Sequence, residues 1–308
     1  MSPSCARGCR FLASPLAGGE SRRGFVRAMA VFLAMCAVAF AATSAASAAD
    51  SAWVTAEGGR FRLIAAGGAE PADGPLRAGL EIALDPGWKT YWRTPGDAGI
   101  PPELDFAGSQ NLASAKVLFP APIRFDEAGM AVAGYDRSVV LPILIKPADG
   151  RKPTDLIAAI TVGFCRDICV PASGTVALTL SPDMAEDGDA ADLIAGAEAA
   201  VPGTASADSP LAILSVQPRA GAPDTTIVTA RLADPGASAE LFVEGPPGTY
   251  ADAPVRLPAQ PTAPDRASWQ VSVSDDDNKP AAGPLTLTLV NGGRAIEARA
   301  TPEGPPVP

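Results

Sequence analysis

From about residue 52 onward, proline and glycine cut this chain into short runs, and most of those runs alternate apolar with polar residues. The 32 prolines and 30 glycines leave no room for a bundle of long helices. "RFRLIAA" and "RAGLEIALD" alternate as half-buried strands do. "DPGWKTYW" begins with a turn and continues as an aromatic run, and "AKVLFP", "VVLPILIK", "DLIAAITVGF" and "GTVALTL" read as further strands. Pro142 lacks an N–H for the ladder, so it predicts an edge position or a bulge. Residues 50–182 therefore read as one β-sandwich. "TTIVTARL", "AELFVEG", "SWQVSVS" and "PLTLTLV" place a second β unit over residues 210–302. It closes with a hairpin that turns at Asn291-Gly292-Gly293. The intervening linker, residues 183–209, carries seven acids and no base, and its "AADLIAGAEAA" is alanine-rich enough for a short helix. Residues 303–308 read as a disordered tail.

The first 49 residues have the pattern of an export signal. Arg22, Arg23 and Arg27 form a basic segment, a short apolar run follows, and small residues supply a cleavage site near Ala48 or Ala49. "SRRGFVR" fits a twin-arginine signal as well as an ordinary one, so the Sec and twin-arginine routes both stand. Removing this leader takes five of the 24 basic residues and one of the 34 acids, leaving a net charge of −14. So acidic a chain is a poor partner for nucleic acid or anionic membranes. The expected location is the periplasm, where disulfides persist.

Removing the leader also takes Cys5, Cys9 and Cys36, which leaves two cysteines, Cys165 and Cys169, in "VGFCRDICVPASG". The chain has no histidine. That rules out a Cys-His nucleophile, a Ser-His-Asp triad and any histidine metal site. Two thiolates alone do not complete a structural zinc site. No phosphate-binding loop is present.

Three readings of the pair remain open. As a staple in a non-enzymatic periplasmic binding or assembly module, the bridge would close a five-residue loop. That contributes only about 2 kcal/mol in the chain-entropy model. As a redox site, one thiol resolves the mixed disulfide that the other forms. As a copper(I) site, the soft sulfurs, with Met130 as a third ligand, suit that ion. Strand-like runs on both sides put the pair in or beside a hairpin turn, unlike a Cys-x-x-Cys that opens a helix. Arg166 and Asp167 act on a thiolate in opposite directions, so no strongly lowered thiol pKa is expected.

"LDPGWKTYWRTPGDAGIPPELDF", "VLFPAPIRF", "VAGYDRSVVLPILI" and "VGFCRDICVPASGTVAL" occur in one order over about residues 52–182. Together they resemble the N-terminal periplasmic domain of DsbD-type thiol:disulfide interchange proteins, in the suppressor-of-copper-sensitivity branch. The resemblance implies an immunoglobulin-like sandwich, so the expected fold is all-β: two immunoglobulin-like β-sandwich domains joined by an acidic, partly helical linker. It implies a thiol:disulfide oxidoreductase component with no cofactor beyond a redox-active Cys165–Cys169 disulfide. In that role Cys169 forms the mixed disulfide and Cys165 resolves it. The implied electron donor is a separate membrane-embedded thiol reductase. The implied acceptors are periplasmic thioredoxin-like or disulfide isomerase proteins, including those of cytochrome c biogenesis. Tyr91, Phe125, Asp126, Glu127, Met130 and Phe164 are the residues expected to line the site. "RFDEAGM" departs from the family's cap loop, since its aromatic is shifted to Phe125 or replaced by Met130.

Overall fold

The computed structural model describes residues 50–302 except 68–73, 97 and 282. The leader expected at 1–49 and the tail at 303–308 lie outside the described residues. Eleven strands build the first part of the fold. They are Val54–Ala56 (β1), Gly59–Ala65 (β2), Leu76–Leu84 (β3), Lys89–Tyr91 (β4), Glu103–Asp105 (β5), Leu112–Val117 (β6), Ile123–Glu127 (β7), Met130–Tyr135 (β8), Val139–Pro147 (β9), Thr154–Cys165 (β10) and Cys169–Leu180 (β11). One sheet runs β1-β2-β3-β9-β6, and the other β11-β10-β4-β8-β7, with β5 on β10. Every pairing is antiparallel.

Residue parity explains how the two sheets close on each other. In β10 the even positions Leu156, Ala158, Ile160, Val162 and Phe164 are buried in the core with Phe61, Leu63, Leu80, Ile82, Leu141 and Ile143 of the facing sheet. The odd positions Gly163 and Cys165 lie on the opposite face of the same strand. Pro142 corrects the expectation of an edge or a bulge, because β9 runs between β3 and β6. Its carbonyl accepts from the Leu118 N–H, one residue beyond the end of β6. In an antiparallel ladder a residue's N and O face the same neighbour. The missing donor therefore points to where β6 has already ended.

The acidic segment is partly helical and does not stay free in solvent. Helix α1, Gly188–Ala199, starts at Asp187, whose carboxylate accepts from the Asp189 and Ala190 N–H groups. It buries Ala190, Ala191 and Ile194 against Ile64, Ala66 and Val140, and Glu198 pairs with Arg77.

The remaining strands are Ala212–Arg219 (β12), Ala222–Arg231 (β13), Ala239–Glu244 (β14), Thr249–Ala251 (β15), Val255–Arg256 (β16), Arg266–Asp275 (β17), Leu285–Asn291 (β18) and Arg294–Ala300 (β19). They form a sheet β12-β13-β17-β15, with β16 on β17, and a sheet β14-β18-β19. Their core centres on Trp269, Val228, Leu241, Leu287 and Leu289. The β18–β19 hairpin turns at Gly292 and Gly293, both at positive φ (58° and 75°), the conformation a two-residue hairpin turn demands. This second sandwich meets the first through Arg93, which binds Glu244 and Glu297. Phe242 tilts against Trp92 at 5.7 Å, and Arg124 bonds Glu240 and the Leu241 carbonyl. Among the described residues the fold is all-β apart from one helix, with immunoglobulin-like sandwiches. Among the described residues no helix is long and apolar enough to cross a membrane.

Candidate functional site

Cys165 is the last residue of β10 and Cys169 the first of β11, and the two are direct partners across the hairpin. Both are free thiols, with their sulfurs 3.1 Å apart. They are not equivalent. Cys165 is buried at 3% exposure, whereas Cys169 is exposed. Ile168 beside it is 65% exposed.

The strand registers put the other site residues on the same outer face. Cys165 pairs with Lys89 on β4, Tyr91 with Gly134 on β8, Phe125 with Val132 and Glu127 with Met130. Tyr91, Val132 and Cys165 form a small buried cluster, with Phe125 and Ile100 packed against it. The β7–β8 hairpin carries Glu127 over the sulfurs. Its Oε1 accepts from the Cys165 thiol in a very short contact and from the Cys169 thiol at 2.8 Å. The Tyr91 hydroxyl lies 3.0 and 3.1 Å from the two carboxylate oxygens and 2.9 Å from Cys169 Sγ.

Electrostatics follow from this arrangement. Burial, and then the Glu127 carboxylate, push the Cys165 thiol up to about 12. Burial also opposes ionisation of Glu127. The hydrogen bonds from Cys165, Cys169 and Tyr91 and the charge of Lys89 outweigh it, holding that carboxyl below its ordinary value. Burial and the same network raise the Tyr91 phenol well above its ordinary value. Arg166 gives the sulfurs little help, because its guanidinium stacks on Trp88 and pairs with Asp167. Cys165 therefore holds its proton at neutral pH.

Not every residue expected at the site reaches it. Phe164 is fully buried in the core on the other face of β10. Asp126 turns back to accept from the Gly129 N–H in its own hairpin turn. Each sits one residue from a true site residue, and strand alternation sends neighbours to opposite faces. Phe125 is half-buried in the cluster, with the Lys89 ammonium 4.5 Å above its ring. Met130 stands opposite Glu127 and is 39% exposed.

Sequence reasoning missed what fixes Tyr91. A Cβ on Gly163 would lie 2.7 Å from the Tyr91 ring and from Ile100, and one on Gly99, at φ +115°, would lie 2.5 Å from Tyr91 Cδ1. Only glycine lets the ring pack flat between β10 and the 99–100 loop. The signal was available, since a glycine inside a strand, as in "TVGFC", marks a close approach. Lys89 was missed as well.

Residues 62–181 match the family model for the N-terminal domain of the thiol:disulfide interchange protein DsbD. The chain is similar to the crystal structure of the N-terminal periplasmic domain of ScsB from Proteus mirabilis, at 24% identity and a TM-score of 0.66. That match covers 84% of this chain and 100% of that one. No curated protein matches. Both hairpin cysteines fall within residues 62–181, the part of the chain that resembles the DsbD N-terminal domain.

Proposed function

We propose that this chain is a periplasmic thiol:disulfide exchange protein that relays electrons from a membrane-embedded reductase to periplasmic thioredoxin-like or disulfide isomerase proteins. The observation that carries the reading is the asymmetry of the pair: one sulfur exposed at a hairpin end, the other buried in contact behind it. In the reducing direction, the Cys169 thiolate attacks the acceptor's disulfide and expels one acceptor thiolate, which takes up a proton. A mixed disulfide joins Cys169 to the acceptor. The Cys165 thiol then loses its proton and attacks Cys169 Sγ, expelling the second acceptor thiolate, which takes that proton up. The acceptor has gained two electrons and two protons, and the chain holds a Cys165–Cys169 disulfide. Exchange with the donor runs the same steps backwards.

A purely structural bridge would add little here. It would join residues that the β10–β11 ladder already holds in register over twelve pairs. Exposed Ile168, next to Cys169 in the chain, and exposed Met130, opposite Glu127 across the β7–β8 hairpin, give an acceptor something to dock on.

The test is to trap the partner. With Cys165→Ser, the mixed disulfide formed by Cys169 has no resolving thiol. Expression in the native periplasm followed by non-reducing electrophoresis and mass spectrometry is expected to show discrete adducts with thioredoxin-fold proteins. They should vanish when Cys169 is also replaced by serine. Cys165→Ser giving no adducts, or adducts that persist without Cys169, would overturn the proposal.

A further inference from the structure

Three donor atoms of the reduced site converge on one point. Cys165 Sγ, Cys169 Sγ and a Glu127 carboxylate oxygen all lie within 4.8 Å of one another. The sulfurs are 3.1 Å apart, and Glu127 Oε1 touches both. The carboxylate is held from behind by the Tyr91 hydroxyl, as an outer-shell donor holds a metal ligand. We propose that the reduced protein binds one zinc(II)-type cation at Cys165, Cys169 and Glu127, with the fourth position open to solvent beside exposed Cys169.

The choice of ion follows from the donors. Zinc takes thiolate at about 2.3 Å and carboxylate at about 2.0–2.2 Å, in tetrahedral sites that accept three protein ligands and a water. Tetrahedral bonds of that length need sulfurs about 3.8 Å apart, so the pair opens by less than about 1 Å. Both mobile partners are well placed to give, since Cys169 is exposed and Glu127 closes a hairpin whose turn residues Ala128 and Gly129 sit at positive φ. Copper(I) is satisfied by two sulfurs alone and has little use for a hard carboxylate. No histidine competes for the ion anywhere in the chain.

Binding is a proton exchange without electron transfer. Two S–H bonds break, two zinc–sulfur bonds form and two protons leave. The bound ion engages both thiols, so it withdraws the pair from disulfide exchange until a chelator removes it. The proposal needs only the reduced thiols and does not depend on any electron donor or acceptor.

The test uses the full reduced chain under anaerobic conditions, titrated with zinc(II) against a chromophoric chelator, with cobalt(II) as a spectroscopic probe. The expected result is one ion per chain, about two protons released, and sulfur-to-cobalt charge-transfer bands with tetrahedral d–d absorption. Cys169→Ser should abolish those bands. Glu127→Gln should weaken zinc by at least the ~10–100-fold that loss of an outer-shell partner costs, while leaving copper(I) affinity unchanged. Zinc affinity equal to that of the Cys165→Ser/Cys169→Ser double variant would overturn the proposal, as would affinity indifferent to Glu127→Gln. Because no disulfide partner enters this measurement, its failure leaves the exchange function standing.

Discussion

Replacing Glu127 with glutamine removes a negative charge in contact with Cys165 while keeping the side chain's size. Cys165 is raised from 9.0 to about 12, with burial the larger cause and Glu127 the next. Glutamine leaves the burial in place. The thiol pKa should therefore fall by about 1 unit and not return to its ordinary value. At pH 8 a thiol of pKa 12 is only about 10⁻⁴ ionised, and each unit of decrease gives roughly tenfold more thiolate. A less basic thiolate is also a weaker nucleophile, by about 0.4–0.5 log units per pKa unit. The net gain in exchange rate for Cys165 is then about 3–4-fold per unit. The assay is thiolate absorbance near 240 nm as a function of pH on reduced Cys169→Ser protein, with and without Glu127→Gln, alongside the rate of iodoacetamide alkylation at pH 8. A midpoint that stays put or rises in the glutamine variant would refute the electrostatic account of the site.

Other consequences can be measured separately. Gly163→Ala forces a methyl against the Tyr91 ring and Ile100, so it should cost about 1–3 kcal/mol in urea unfolding. It should also disturb exchange, whereas Gly150→Ala, in open space, should do neither. The folded Cys165 thiol is harder to ionise than the unfolded one. The stability of the reduced protein that comes from this site is therefore intact below about pH 9 and lost as pH rises toward 12. The gap in unfolding midpoint between reduced wild type and Cys165→Ser should shift accordingly between pH 8 and pH 11. Arg93→Ala leaves Glu244 and Glu297 without their shared partner and should lower stability by about 2 kcal/mol, short of the ~3–5 kcal/mol seen for fully buried pairs. Arg93→Lys should recover little of it, since an ammonium cannot reproduce the fork.

Much of the architecture was legible because period-two alternation is a local property. "DLIAAITVGF" gives β10 its inner and outer faces directly, and Asn291-Gly292-Gly293 gives the last hairpin its turn. Pro142 misled because the chain alone does not say where β6 stops, and that ending is what lets proline sit in an inner strand. The cysteines were legible by elimination, whereas their company came only from the family resemblance and not from the residues themselves. Glu127 and Tyr91 come from strands far from Cys165 in sequence, and only the β4–β8 and β4–β10 registers bring them together. Phe164 and Asp126 show the converse: adjacency in sequence, on a strand, is a reason to expect opposite faces. Docking of α1 on Ile64 and Val140 was hidden for a related reason. Three buried side chains in an acidic, alanine-rich segment are too weak a pattern to stand out.

The exchange function rests on one sulfur being within reach of other molecules while the fold is intact. Incubating the folded protein in glutathione buffers of graded redox poise, quenching with acid, alkylating and weighing the intact chain measures this directly. The account predicts that Cys165 and Cys169 pass together between the disulfide and dithiol forms over a narrow range of poise, without denaturant. A pair that stays in one state across the whole series, and responds only once urea has unfolded the sandwich, would contradict it.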